Sequence, residues 1–170
     1  WATLARHRFY PNPAPGGFYD GDAVPEPIVG QRDSYYSFQW GDALFVMLDP
    51  GWYTTAREKT DAWVWSLGQR QYDWLASTLS GSRARYKFVF IHHLVGGFDG
   101  TMRGGVEAAP YYEWGGKNED GTPGFAAHRP TFARPIHWLL VDARVTAVFH
   151  GHDHLYASQE LDGIVYQEVP

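Results

Sequence analysis

The chain lacks cysteine altogether, so it holds neither a disulfide nor a thiolate metal site. Any metal ion that it binds must be held by histidine, carboxylate, amide or water ligands, which leaves zinc, manganese and iron open. Long apolar runs are lacking as well, because the longest, residues 43–48, is far too short to cross a bilayer. Basic residues are outnumbered, 14 against 19 acidic ones, and the net charge of −5 argues against a general nucleic-acid binder or a basic membrane-surface protein.

The sequence also lacks an initiator methionine and a signal peptide at Trp1, and it ends at Pro170 directly after a strand-like run. We therefore expect it to be part of a longer protein. Its 170 residues, 44% of them hydrophobic and 19% charged, are enough for one globular domain portion with a sizeable core. The sequence does not indicate a cellular compartment. Its many loops and aromatic residues are compatible with an exported protein.

Apolar patterning predicts strands that alternate with helices. A continuous apolar run predicts a buried strand over residues 43–48, and largely apolar stretches predict two more, over residues 86–91 and 145–149. One-sided apolar faces predict two helices, over residues 69–80 and 134–144, and Pro135 suits the first turn of the second. Asp162-Gly163 lies between two strand-like runs and predicts a hairpin. Strands joined by helical crossovers imply parallel pairing, so the predicted class is α/β.

Two long segments carry little periodicity. Residues 1–34 are rich in Pro, Gly and aromatics, which predicts an irregular, ordered loop. Residues 94–132 predict a long loop near the site, since connections of this length inside a domain are usually functional. The aromatic residues of that loop could wall a substrate pocket or pack the loop on the domain.

Histidines gather at the predicted strand ends. His152 and His154 follow one buried strand, and His92 follows another. In open α/β sheets, sites form outside the carboxyl ends of strands, so side chains about 60 residues apart can share one pocket. Imidazole is a common metal ligand, and the pattern predicts metal ligation by these three residues. His93 and His150 each adjoin a predicted ligand, and an outer-shell role or a structural role is open for both.

Glycine precedes the histidine pair, and Gly151 predicts either a close backbone approach or a positive φ at that position. The remaining histidines do not follow a predicted buried strand. We interpret His7, His128 and His137 as polar residues with ordinary hydrogen-bond partners.

Gly151-His152-Asp153-His154 resembles the Gly-His-x-His motif of the calcineurin-like metallophosphoesterases. The apolar strand that ends in His92-His93 resembles the motif that precedes it in that family. Residues 35–49 and the Gln-x-x-Trp-Leu of residues 71–75 are similar to further family elements, so the resemblance covers about residues 32–169. Tyr156 extends it to the Gly-His-x-His-x-Tyr of the purple acid phosphatase branch.

The resemblance implies a four-layer arrangement of sheets flanked by helices, of which this chain is the C-terminal half. It implies that His92 and His152 bind one metal ion and that His154 binds a second, the pair being divalent or trivalent Zn, Mn or Fe. It also implies a phosphoric ester hydrolase, acting on phosphate mono- or diesters, in which two ions share the attacking hydroxide.

The family completes its site with an Asp-x-His, a Gly-Asp-x-x-Asp and an Asn-His after a glycine. None of the three occurs here; asparagine, for example, stands only at positions 12 and 118, and neither precedes a histidine. The resemblance therefore implies that the remaining ligands and the acid histidine lie in a missing N-terminal half. We expect the 170 residues alone to bind metal weakly and to have negligible phosphatase activity.

Basic residues in and near the long loop are candidates for binding a phosphorylated small-molecule or nucleotide-like substrate, namely Arg103, His128 and Arg129. For each, a solvated loop charge is the interpretation that we favour. Two other functions stay open. One is a non-catalytic binding module in which the histidines hold a single structural metal. The other is a carbohydrate- or partner-binding domain, which the aromatic content of 17% would permit.

Overall fold

The computed structural model describes residues 2–51, 61–97 and 104–170. In this part of the chain seven strands form one mixed sheet, in the order β1-β2-β3-β4-β5-β7-β6. The strands are β1 (Asp20–Gly21), β2 (Tyr36–Trp40), β3 (Ala43–Met47), β4 (Tyr86–Phe90), β5 (Ala147–His150), β6 (Ala157–Leu161) and β7 (Ile164–Glu168). Strands β3, β4, β5 and β7 are parallel neighbours, and antiparallel strands extend the sheet on both sides. The predicted α/β class is confirmed.

The helices are α1 (Ala2–Phe9), α2 (Gly68–Gly81), α3 (Gly105–Ala108), α4 (Tyr112–Gly115), α5 (Phe125–His128) and α6 (Ile136–Asp142), with a 3-10 helix at Ala62–Val64. Helices α2 and α6 are the two predicted from periodicity. Pro135 caps α6 rather than standing in its first turn, because its extended ψ of 149° is not helical. Within the described residues, no helix combines the length and the apolar character needed to cross a membrane.

One face of the sheet holds the core. Strand β3 alternates, so that Leu44 and Val46 are buried while their neighbours are half-buried. Helix α2 lays Leu75 and Leu79, four residues apart, against this face. Leu75 is fully buried, and burial of such a side chain contributes about 1.5–3 kcal/mol. Truncation of Leu75 to alanine would cost about 2–5 kcal/mol, since a cavity remains.

Gln71 joins helix α2 to the end of strand β3. Its buried side-chain amide accepts from the backbone N–H of Asp49 at 2.8 Å and donates to the Asp49 carbonyl at 2.9 Å. These two bonds satisfy the N–H and the carbonyl of Asp49, which lies just beyond the hydrogen-bonded part of strand β3. They fix the helix against the carboxyl end of the sheet.

The other face of the sheet is a ladder of half-buried aromatic rings. The rings of Phe38 and Phe45 stack with centroids 4.9 Å apart, and those of Phe90 and Phe149 do the same. Phe88 joins this set at 5.5 Å from Phe45. Because successive strand residues point to opposite faces, all five rings lie opposite the aliphatic core.

The structure differs from the prediction in the first segment, where an irregular loop was expected over residues 1–34. Helix α1 occupies Ala2–Phe9 instead. Its sequence contains good helix formers, among them Leu4, Ala5 and Arg6. The prolines and glycines that dominated the prediction begin only at Pro11, beyond the helix.

The segment 94–132, called the insertion below, is packed on the domain. Its helices α3, α4 and α5 have four residues each, and Ala108, Ala109 and Trp114 are buried in the core. The indole N–H of Trp114 donates to the hydroxyl of Tyr166 at 3.0 Å. Of the two interpretations of its aromatic content, packing on the domain therefore holds for Trp114. Residues 98–103 of the insertion lie outside the described residues.

Candidate metal centre

Two parallel strands place the histidines. In the register of β4 and β5, Phe90 lies opposite Phe149, so the residues that follow both strands emerge side by side. Beyond the ladder, the N–H of Gly151 donates to the carbonyl of His92 at 3.0 Å. This bond keeps the two chain segments together where the histidines branch off.

Three imidazoles form the histidine triangle, which consists of His92, His93 and His152. Each offers a ring nitrogen, and these nitrogens all lie within 4.8 Å of one another. The closest pair is Nε2 of His92 and Nδ1 of His152, 3.0 Å apart. Nitrogen ligands at about 2.0–2.1 Å from a tetrahedral zinc lie about 3.3 Å apart, so the closest pair is already near the spacing that one ion requires.

His93, for which a role outside the ligand shell was one interpretation, is a full member of the triangle. Its side chain is buried, whereas His92 and His152 are exposed. The His93 ring meets the Trp65 ring edge to face at a centroid distance of 5.1 Å. One corner of the triangle is thus packed against an aromatic wall, and the other two face solvent.

His154 lies outside the triangle but lines the same cavity as His92 and His152. The cavity has a volume of about 890 Å³. Part of its lining comes from the first 36 residues of the chain, including Arg6, Asp33 and Tyr36. These three were not predicted as site residues, because nothing local in their sequence marks them; the fold brings them to the histidines.

The backbone at the Gly-His-x-His motif is strained. His152 has a φ of 88° and His154 a φ of 57°, both in the left-handed region. Such a conformation costs on the order of 1–3 kcal/mol for a non-glycine residue and persists only where surrounding contacts impose it. Gly151, by contrast, is not left-handed. A Cβ there would lie 3.0 Å from the Val169 carbonyl oxygen, so close backbone approach is the reason for glycine.

His150 is neutral. Its ring is 2% exposed, and burial lowers its pKa to about 4, against the opposing effect of the Asp153 and Glu107 charges. The N–H of Gly105 donates to Nε2 of His150 at 3.2 Å, which leaves the proton of the neutral ring on Nδ1. His150 therefore joins strand β5 to the insertion as a hydrogen-bond acceptor.

Glu168 is a buried carboxyl beside the motif and was not predicted as a site residue. Burial raises its pKa, and the nearby charge of Asp153 raises it further. Its Oε1 accepts from the backbone N–H of Asp153 at 3.2 Å. In the sequence Glu168 is one of several polar residues on a strand of alternating pattern. Only its burial in the structure, with 4% exposure, distinguishes it from the others.

The predicted substrate residues do not gather at the triangle. The Arg129 guanidinium pairs with the buried carboxylate of Glu113 and donates to the carbonyls of Trp63 and Trp65. The ring of His128 stacks on that of Trp63 at 4.4 Å. The described residues that line the cavity include neither His128 nor Arg129. Arg103 lies outside the described residues.

His137 has the ordinary hydrogen-bond partners expected of it, whereas Nε2 of His7 has an acidic neighbour but no hydrogen bond among the described residues. His7 Nε2 lies 3.4 Å from a carboxylate oxygen of Asp33. His137 lies between the Tyr166 hydroxyl at 2.7 Å and the Asp162 carboxylate at 2.9 Å. Their contacts are those of structural histidines.

No family model matches the sequence, and no curated protein matches it. Among solved structures, the chain is similar to purple acid phosphatase PPD1 from yellow lupin (Lupinus luteus) seeds. The identity is 15%, the TM-score 0.45, and the match covers 82% of this chain and 23% of that one. It is also similar to GAP50, described as the anchor in the inner membrane complex of Plasmodium, at 15% identity and a TM-score of 0.42, over 79% of this chain and 35% of that one. The chain thus spans roughly a quarter and a third of these two proteins.

The donor set suits a metal ion. Imidazoles are ligands for zinc, iron and manganese alike, and these three lie close enough together to share one ion. Within the described part of the chain, the triangle is the one group of three or more such side chains close enough to share an ion, and no carboxylate belongs to it.

Proposed function

We propose that this chain supplies the histidine side of the metal centre of a metal-dependent phosphoesterase that hydrolyses phosphate mono- or diesters. The observation that supports this function is the histidine triangle at the carboxyl ends of two adjacent parallel strands, opening into a cavity of about 890 Å³. Ligand sites of open α/β sheets form at this edge. The Gly-His-x-His resemblance points to phosphate esters as the substrate class.

The proposed centre holds two ions, Zn, Mn or Fe. The triangle would bind one, and His154, which lines the same cavity, would bind the other. When bound, the ions would supply an activated water and positive charge against the phosphoryl oxygens. The protein's own part is to hold the imidazoles at one edge of a rigid sheet and to give the ester a partly apolar cavity.

The carboxylate ligands would come from an N-terminal half that packs on the aromatic face of the sheet. Five half-buried phenylalanine rings line this face, while the opposite face is covered by α2 and α6. Sheets pack face to face at about 10 Å through such inner faces. A second sheet there would complete the four-layer arrangement that the resemblance implies.

Arg6 is the basic side chain that we propose for the phosphate. It lines the cavity together with His92 and His152, and arginine binds phosphate through paired N–H groups. Arg129 is engaged by Glu113 and two carbonyls, so its contacts support a structural role better than substrate binding. The substrate would be a phosphorylated small molecule or a nucleotide-like ester.

A single structural metal is the second candidate. The triangle contains three imidazoles and no carboxylate among the described residues, and three neutral nitrogens plus one water suit one zinc ion. This arrangement lacks the bridging carboxylate that a dinuclear centre needs, so a binding module with one ion fits the 170 residues taken alone.

Elemental analysis and turnover separate the two candidates. In the protein with its natural upstream sequence, two ions per chain and hydrolysis of p-nitrophenyl phosphate or its bis-ester support the phosphoesterase. One ion without hydrolysis supports the structural metal, and no bound metal contradicts both. His92→Ala and His152→Ala should each abolish most turnover and lower the metal content. The matched control is His128→Ala, because His128 stacks on Trp63 outside the cavity and should leave the metal content unchanged.

A further inference from the structure

The left-handed backbone at His152 and His154 requires contacts that impose it, and those contacts converge on the residue between them. Asp153 donates its N–H to Glu168 Oε1 at 3.2 Å. Its own Oδ2 accepts from the N–H of Gly104 at 3.2 Å. Asp153 is therefore bonded to strand β7 on one side and to the insertion on the other.

Both partners are held in place by contacts that do not involve Asp153. Glu168 is the last residue of β7, pairs with His150 in the parallel ladder and is 4% exposed. Gly104 packs directly over the His150 ring, and a Cβ at Gly104 would lie 2.1 Å from Nδ1 of that ring. The next N–H, that of Gly105, donates to His150 Nε2. Both ends of the contact are anchored in the core rather than in solvent.

We propose that Asp153 is a positioning residue that holds His152 and His154 in their left-handed conformations. We call Asp153, Glu168 and Gly104 the brace. By fixing the backbone between the two histidines, the brace directs His152 into the triangle and separates its ring from that of His154. The effect on metal binding rests on the proposed metal centre, whereas the effect on the backbone does not.

Two substitutions separate hydrogen bonding from charge. Asp153→Asn keeps a side-chain oxygen that can accept from Gly104, and it removes the negative charge. Asp153→Ala removes both. Asp120→Ala is the matched control, because Asp120 is an exposed carboxylate that also accepts a backbone N–H, that of Thr122, at 2.9 Å in the insertion.

The first readout is titration with Co²⁺ of the protein with its natural upstream sequence, followed by visible absorption, with a chelator competition for affinity. Outer-shell partners of metal ligands are worth roughly 10–100-fold in affinity, and we expect a loss of that order and a changed band pattern for Asp153→Ala. Asp153→Asn should recover most of the affinity, and Asp120→Ala should match the wild type. Equal losses for the asparagine and alanine variants would mean that charge acts rather than position, and wild-type affinity for Asp153→Ala would equally overturn the proposal.

The second readout needs no metal. Backbone chemical shifts report φ, and in the metal-free chain Asp153→Ala should move His152 and His154 away from left-handed values while the β5 and β7 resonances stay in place. Unchanged shifts would overturn the positioning role of the Asp153 side chain even if the wild-type protein bound no Co²⁺, an outcome that would itself count against the metal centre. Failure of the metal centre and failure of the brace are therefore distinguishable.

Discussion

Nε2 of His92 lies 3.0 Å from Nδ1 of His152, although 60 residues separate them in the chain. Each residue follows a parallel strand, and the two strands are neighbours in the sheet. The sheet and its crossover thus bring the two chain segments together, and the backbone that follows each strand directs the rings. This relationship makes the histidine triangle testable by single substitutions that leave the fold intact.

His93→Ala tests whether the buried corner of the triangle is a metal ligand. We expect a loss of Zn²⁺ affinity greater than the roughly 10–100-fold typical of an outer-shell partner, because a direct ligand would be removed. Competition with a chromophoric chelator measures it. Trp65→Phe, which keeps a ring against His93, is the control and should bind zinc much more tightly than His93→Ala. A small loss for His93→Ala would return His93 to an outer-shell role.

Glu113→Gln tests the buried ion pair with Arg129. Glu113 is fully buried and also accepts the N–H of Leu67 at 2.7 Å, so its loss leaves a guanidinium unpaired. Breaking one partner of a buried pair costs about 3–5 kcal/mol, measurable by urea unfolding. The exposed pair Arg134 and Asp142 is the control: Arg134→Gln should cost about 0–1 kcal/mol. Similar losses of unfolding free energy for the two variants would contradict the distinction between a buried and an exposed ion pair.

Gly104→Ala tests the close packing of the insertion over strand β5. The added methyl group would meet the buried His150 ring, and overpacking of this kind costs about 1–3 kcal/mol. Gly81→Ala is matched to it, since Gly81 has open space around its Cβ position and ends helix α2. Thermal unfolding should show a lower Tm for the first variant only; an unchanged Tm for Gly104→Ala would place the insertion elsewhere.

Tyr166→Phe tests an alkaline dependence of stability. Burial raises the pKa of Tyr166 above its ordinary value of 10, so ionisation favours the unfolded chain. The stabilisation that the protonated Tyr166 gives to the folded state is fully present below pH 10 and is lost as the pH rises above 10. The phenylalanine variant should lose about 1–3 kcal/mol at pH 7, because the Trp114 N–H loses its acceptor.

Above pH 10 the stability of Tyr166→Phe should fall less steeply than that of the wild type. A residual slope is expected from Tyr72, whose pKa is also raised by burial. Urea unfolding between pH 7 and 11 measures both curves. Parallel curves for the two proteins would show that Tyr166 does not ionise in this range on unfolding.

Local patterns predicted most of the framework because their physical causes are local. A short, largely apolar run such as residues 88–91 favours a buried strand. Asp162-Gly163 suits a tight hairpin because both residues adopt positive φ, 51° and 80°. Helix α1 was not predicted because the prolines that follow it led us to assign the whole segment 1–34 as a loop. The buried position of Glu113 was not predictable, since its partner Arg129 lies 16 residues away in the insertion.

The sequence by itself determined that His92 and His152 follow buried strands of an α/β sheet, because apolar runs and crossovers are local properties of the chain. Tertiary structure alone decided that His93 joins them and that His154 does not. Ring positions depend on the left-handed backbone of the motif, and that backbone is held by Asp153 through contacts to Glu168 and Gly104, 15 and 49 residues away. Contacts between residues so distant in sequence leave no local pattern from which they could be predicted.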